Sequence, residues 1–398
     1  MNILELNSMP VGSTGKIMFE IGEYMQSQGH VVKYAFPEFD AKCPKEYKNR
    51  TIIIGNKIML SLAHVLGRLT GYNDYFLNFS TIKFLDKIDK LELDIIHIHN
   101  LHNCYVNYDL LFDYLQKRKI KIVWTLHDCW SFTGGCPYFA RIECDKWKTE
   151  CQKCELINRY PKMYIDRTKE QYYRKKKIYS NNNIVFVTPS CWIKNLAEHS
   201  FLNKHEFHVI HNGINLDIFK PDLTKVVKKK IIILGVAFKW DKRKGLDTFI
   251  QLSKLLDDHY QIVLVGVCDK DKKKIPNGIV TIARTKNIVE LVEYYNMADI
   301  FVNPTLEDNY PTTNIEAIAC GTPVITYETG GSPEAILEGT GIIVKEKNVT
   351  GILDAIDKMT KDLEYYRQNC ISKAKEYGME KMCKKYYEVF QKLIDEEL

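Results

Sequence analysis

Thirteen short apolar runs, most of them separated by stretches of helical periodicity, constrain this chain more than any other feature. In the first half they fall at 2–6, 31–36, 51–54, 94–98, 119–125, 184–188 and 207–210. In the second half they fall at 230–235, 261–266, 279–282, 299–303, 322–327 and 341–344. Runs that are apolar throughout, rather than alternating, belong to parallel strands buried on both faces. Strands alternating with helices build α/β layers. Thirteen strands exceed what one compact sheet carries, so the expectation is two Rossmann-like domains. A length of 398 residues suits two domains, and 45% hydrophobic with 27% charged residues describes a globular chain. No apolar run reaches 18 residues, so no transmembrane helix is expected. A strand begins at residue 2 with no charged leader before it, which points to a cytoplasmic protein.

The densest chemistry lies between residues 304 and 336. The apolar run at 299–303 leads into a loop with the acids Glu307 and Asp308. Thr312-Thr313-Asn314 then opens a helical pattern, with Thr313 the expected N-cap and Glu316 three residues on. Gly321 ends it, Pro323 to Tyr327 reads as a strand, and Gly330-Gly331 precedes another helix start at Ser332-Pro333-Glu334. Ligands of open parallel sheets bind outside the carboxyl ends of the strands. Helix N-termini there offer unpaired N–H groups to anions. Two such ends with carboxylates between them suit a ligand that is phosphorylated and rich in hydroxyls.

This stretch resembles the donor-site signature of retaining glycosyltransferases of family 4, which have the GT-B fold. The signature is an acid, seven residues and a Glu, followed by a small-residue helix and a Gly-Thr-Pro-Val turn. Asp308, Glu316 and Gly321-Thr-Pro-Val324 meet that spacing. The family usually has Glu where Asp308 stands, and Glu307 is the neighbouring alternative. The resemblance implies that Glu316 binds the nucleotide ribose and Asp308 contacts the donor sugar. Asn309, Tyr310, Pro311, Thr312 and Thr313 would lie along the sugar and phosphates. Family members also set a basic pair on the donor diphosphate. Lys244, before Gly245, matches its second member; Val236 stands where an Arg is expected, leaving Lys239, Lys242 or Arg243 as replacements. Residues 284–290 would meet the nucleotide base. The resemblance further implies two domains facing a cleft, with domain limits of 1–210 and 223–378. A linker at 211–222 carries His211-Asn-Gly-Ile-Asn, and a last helix at 379–398 crosses back to the first domain.

In the first half, Val11-Gly12-Ser-Thr-Gly15-Lys16 follows the first strand and lacks the spacing of a Walker A loop. Gly12 and Gly15 are expected either to let backbone approach the donor or acceptor, or to make a plain tight turn. His97, His99 and His102 read as core or cleft histidines rather than metal ligands. His127, just past a buried strand, matches the family His-Asp that contacts the donor sugar, with Asp128 beside it. Cys136, Cys144, Cys151 and Cys154 are clustered; one structural zinc, free thiols, and disulfides or redox sensing are the open readings. The segment 124–154 is similar to transferases of bacterial surface-polysaccharide clusters. Residues 57–88 are apolar at helical spacing with interspersed basic residues. Core packing is the expectation, with a membrane-touching helix the alternative. The formal net charge is +6, with the positive excess in residues 1–200 and much of it between 159 and 177. A solvated face is expected there, with an anionic acceptor or membrane surface as alternatives.

The reading is a retaining hexosyltransferase that uses a nucleotide-diphosphate sugar and a glycan or lipid-linked acceptor. It needs no catalytic cofactor and no nucleic acid, and it is cytoplasmic with peripheral membrane contact. Rivals are a nucleotide-sugar epimerase of the same architecture and a zinc-stabilised nucleic-acid-binding protein. The second lacks aromatic stacking motifs among its basic residues.

Overall fold

In the computed structural model, residues 1–37, 43–224 and 229–395 are described. All thirteen expected strands are present. The first sheet contains β1 (Asn2–Leu6), β2 (Val31–Phe36), β3 (Thr51–Ile53), β4 (Ile95–Ile98), β5 (Lys121–Thr125), β6 (Ile184–Thr188) and β7 (Glu206–Val209), in the order β3-β2-β1-β4-β5-β6-β7. The second contains β8 (Ile231–Val236), β9 (Tyr260–Val265), β10 (Val280–Ile282), β11 (Ile300–Asn303), β12 (Val324–Tyr327) and β13 (Gly341–Val344), in the order β10-β9-β8-β11-β12-β13. Every strand pairing is parallel. These are two Rossmann-like α/β domains of the GT-B class.

The apolar runs explain the layers. Strands β4, β6, β11 and β12 are buried at every residue, as parallel strands covered on both faces must be. Each such Ile, Val or Phe contributes roughly 1.5–3 kcal/mol by leaving water. In both sheets the strand order reverses beside the first strand of the unit, at β1 and β8, which places ligand sites at the carboxyl ends of β1, β4, β8 and β11.

The chain divides into two compact units. One is Met1–His211 together with the chain from Cys383 onward; the other is Asn212–Met382. The last helix, Met379–Asp395, follows Gly378. From Cys383 it belongs to the first unit, where Tyr386 and Phe390 are buried and Tyr386 reaches Thr125.

Two sequence expectations change. The helix 57–70 does bury Leu60 and Ala63, but Ile58, Leu62, Val65 and Leu69 form an exposed stripe on its other side, Ile58 being 84% exposed. Its apolar residues satisfy helical spacing on two faces, and only one face meets the core. The basic run at 174–177 is not simply solvated. Arg174 pairs with Asp74 and Asp109, and buried Lys175 donates to the carbonyls of Trp130 and Thr133. Lys176 and Lys177 are the exposed members.

Candidate active site

In the second unit, the loop after β11 and the loop after β8 are clamped together. The carbonyl of Arg243 accepts from Leu306 N at 2.7 Å and Thr305 Oγ1 at 3.2 Å, and the Arg243 guanidinium donates to the Glu307 carbonyl at 2.9 Å. Gly245 makes this approach possible. Its φ is +76°, and a Cβ there would stand 2.3 Å from the Pro304 carbonyl oxygen. The clamp delivers Lys244 Nζ to Asp308 Oδ2 and leaves Arg243 Nη1 3.9 Å from the same oxygen. Burial raises the Asp308 pKa, but Lys244 and Arg243 outweigh it and hold the carboxyl below its ordinary range. Of the three candidates for the missing Arg, Arg243 is thus the one beside the acid. Lys239 and Lys242 are exposed on the loop.

Behind the acidic loop sits Gly330, with φ +57° and its would-be Cβ only 1.9 Å from the Asp308 carbonyl oxygen. Gly331 N donates to that carbonyl at 3.1 Å. The glycine pair therefore braces Asp308 from the back, a role that spacing alone did not reveal.

The helix after the loop is Thr312–Ala319 with Pro311 as N-cap and no side-chain cap. The expected Thr313 N-cap and Glu316 capping box are therefore corrected. Pro311 fixes φ near −67° and starts the helix two residues earlier. Glu316 instead accepts a hydrogen bond from the buried Tyr295 hydroxyl at 2.8 Å while keeping part of its surface exposed. Asn309 N donates to Asp308 Oδ1 at 3.0 Å, and the Tyr310 carbonyl accepts from Asn212 at 3.3 Å. Glu307, Asn309, Tyr310 and Pro311 are buried, whereas Thr312 and Thr313 are half-buried at the helix start. The first two amides of such a helix have no partner within it, while Asn314 N donates to the Pro311 carbonyl at 3.1 Å. Ser332–Ala335 forms one short turn with proline at its start.

In the first unit, the helix Gly12–Ser27 begins at Gly12, whose φ is +76° and which is exposed. Gly15 is buried; a Cβ there would stand 2.5 Å from the Pro10 carbonyl carbon, so it serves close packing of helix on loop. His127 follows β5 and is half-buried. Its Nε2 lies 2.9 Å from His99 Nδ1. Burial, with His97 and His102 adding repulsion, pushes its pKa well below the ordinary imidazole range. Asp128 turns elsewhere: it accepts from Trp130 N at 2.9 Å and lies 3.0 Å from His102 Nε2. His97 and His99 are buried and partnered, and burial pushes both pKa values down to about 3.

Cys136, Cys144, Cys151 and Cys154 form no disulfide and line one cavity with Phe139 and Trp147. Cys136 and Cys154 are hydrogen-bonded through their side chains.

Residues 217–377 match the description "Glycosyl transferases group 1", and residues 14–218, more than half the chain, match "Glycosyltransferase Family 4". This chain belongs to glycosyltransferase family 4. Among relatives of this family-4 chain is WcaC of Escherichia coli K12, named as a glycosyl transferase of colanic acid biosynthesis. It is 27% identical over 269 residues, 64% of this chain and 65% of that one, so the match spans about two thirds of the relative's length. The fold is shared with sucrose-phosphate synthase of Thermosynechococcus elongatus, at a TM-score of 0.73 and 18% identity over 99% of each chain. It is also shared with Anabaena HepE in complex with UDP-glucose, at a TM-score of 0.66 and 12% identity over 98% of this chain and 99% of that one.

Within this family-4 frame, two features escaped the sequence. Tyr295, which holds Glu316, lies 21 residues before it on another helix and carried no motif. Phe238 is 82% exposed beside the basic loop, with the Arg284 guanidinium 4.6 Å above its ring. An aromatic in a lysine-rich loop was the available signal for it.

Proposed function

We propose that this family-4 chain moves a hexosyl group, with retention, from a nucleotide-diphosphate sugar to a hydroxyl of a glycan or lipid-linked acceptor in bacterial surface polysaccharide synthesis. The observation that carries the reading is the Lys244–Asp308–Arg243 cluster. It stands one loop from a helix N-terminus and from Glu316, a carboxylate already oriented by a buried tyrosine. Cations and a helix end suit a diphosphate, whose charge grows as the glycosidic bond breaks; donors aimed at that charge lower the barrier. Glu316 accepts from the ribose hydroxyls. Asp308 accepts from a sugar hydroxyl while Lys244 turns to phosphate. Retention follows if the acceptor attacks on the face the diphosphate leaves, with a diphosphate oxygen taking the acceptor proton. The relative named for colanic acid synthesis and the fold neighbour holding UDP-glucose support the donor and acceptor classes.

Membrane contact belongs to the same reading. Ile58, Leu62, Val65 and Leu69, followed in the chain by exposed Phe76 and Phe79, present apolar surface flanked by Lys57, Arg68 and Lys83. That combination fits an anionic bilayer, where a lipid-linked acceptor would reside, at the inner face of the cytoplasmic membrane. Among the described residues, no helix is long and apolar enough to cross a membrane.

The deciding experiment incubates the chain with nucleotide sugars and lipid-linked or glycan acceptors and follows the new linkage by proton NMR. Transfer with the donor's anomeric configuration kept supports the proposal. An inverted product, or a sugar converted without any acceptor, contradicts it.

A further inference from the structure

The second unit turns one aromatic ring out to solvent from a loop that is otherwise firmly anchored. Phe238, on the loop between β8 and Gly245, is 82% exposed. A single exposed apolar side chain needs no explanation by itself, but the backbone around this one is fixed. Ala237, just before it, is buried and donates its N–H to the Val265 carbonyl at 3.2 Å. Trp240, two residues after it, is buried edge-on against Phe249 with ring centroids 5.4 Å apart. Its Nε1 donates to the same Val265 carbonyl at 3.0 Å. Gly266, with φ +90°, lets the loop after β9 press on this turn, since a Cβ there would stand 1.7 Å from the Ala237 carbonyl oxygen. The loop is held on both sides of the side chain that it exposes.

One face of the ring is already covered. The Arg284 guanidinium lies 4.6 Å from the ring centroid, a cation–π contact. Arg284 stands two residues beyond the end of β10, where the Ile282 carbonyl accepts from Gly266 N at 2.9 Å and Val267 N at 3.0 Å. The bonds that fix the loop under Phe238 therefore also fix its cation. With one face taken by Arg284, the exposure of the ring belongs to the other. Three loops meet here at the carboxyl ends of β8, β9 and β10, where open parallel sheets bind ligands. The same loops carry Arg243 and Lys244 of the acidic cluster and the exposed Lys239, Lys242 and Lys286. An open aromatic face among cations suits a ligand that is planar, apolar on its faces and tethered to negative charge. A nucleobase on a diphosphate has all three properties.

We propose that Phe238, backed by Arg284, is the platform on which the nucleobase of the donor stacks, and so determines specificity for a nucleoside diphosphate over a diphosphate without a base. The proposal rests on the nucleotide-sugar reading given above and adds to it a residue that lies outside the family motifs. Every base has a π-face, so the ring reads the presence of a base rather than its hydrogen-bonding edge.

The test uses the full chain with UDP, ADP and GDP, and with inorganic pyrophosphate as the probe that lacks a base, measured by competition. Because the side chain is exposed, Phe238→Ala is expected to melt at the wild-type temperature. It is expected to bind the preferred nucleotide about tenfold or more weakly, the loss of one base–aromatic stack, with pyrophosphate affinity unchanged. Lys244→Met, the control, is expected to weaken both ligands. Phe238→Trp keeps a ring and is expected to retain nucleotide affinity. Adding the nucleotide to it should produce saturable fluorescence quenching beyond that of the wild type, and pyrophosphate should not. Three results overturn the proposal and leave the donor reading standing: nucleotide affinity within twofold of wild type in Phe238→Ala, equal losses for nucleotide and pyrophosphate in that variant, or nucleotide bound to Phe238→Trp without added quenching. A wild-type chain that binds none of the nucleotides removes both.

Discussion

Replacing Lys244 with methionine keeps the side-chain stem and removes one charge. The Lys244 and Asp308 side chains are 21% and 16% exposed, so the site is neither dry nor fully screened. At an effective dielectric near 20, two unit charges about 4 Å apart interact by about 4 kcal/mol. Removing one donor to a developing anion costs about 2.7–4 kcal/mol in comparable sites. Arg243 remains 3.9 Å from Asp308 and would cover part of the loss. The expectation is therefore a fall in kcat of about 10²–10³. Because diphosphate charge grows toward the transition state, kcat should fall by more than KM rises. Folding should barely notice, since a partly exposed ion pair contributes about 1 kcal/mol or less. The assay is initial-rate kinetics over a range of donor concentrations, with thermal unfolding as the control. A properly folded Lys244→Met chain whose kcat stays within threefold of wild type would refute the argument.

Three further outcomes are expected. His97 and His99 have pKa values pushed from 6.5 down to about 3, so below pH 6.5 the unfolded chain binds protons that the folded chain does not. Stability should fall as pH drops through that window, by up to about 2 kcal/mol per imidazole at pH 5; urea unfolding at pH 7 and pH 5 with equal midpoints would contradict this. Vesicles containing anionic lipid should sediment the wild-type chain, neutral vesicles should not, and Leu62→Glu should reduce binding several-fold; equal binding of the variant would dismiss the helix face. We also propose that Cys136, Cys144, Cys151 and Cys154 share one structural zinc. Elemental analysis should give one zinc per chain, lost with a lowered melting temperature in Cys154→Ser, and a metal-free chain purified without chelator would remove the zinc.

What was legible in the sequence follows from the range of each interaction. The thirteen strands were visible because burial on both faces leaves a local apolar run, and strand ends moved by a residue or two. Asp308, Glu316 and Lys244 were named because short local stretches around them resemble the family's motifs. The helix start was misplaced because two adjacent threonines each suit an N-cap, while Pro311 before them sets the backbone. Choosing Arg243 over Lys239 required the clamp between two loops more than 60 residues apart, which no local pattern encodes. The exposed stripe of helix 57–70 was misread for a related reason: helical spacing shows that a face is apolar, not what covers it.

The central claim is that the second unit holds a nucleotide diphosphate with Glu316 on the ribose. The direct measurement is calorimetric titration of UDP, GDP and ADP and their glucose conjugates into wild-type chain and Glu316→Ala. Two hydrogen bonds to a carboxylate contribute about 1.5–3 kcal/mol each, so Glu316→Ala should weaken Kd by about 10² or more. Saturable binding of at least one nucleotide, lost to that degree in the variant, is the predicted result. No binding across the panel, or equal affinity in both proteins, would contradict the account.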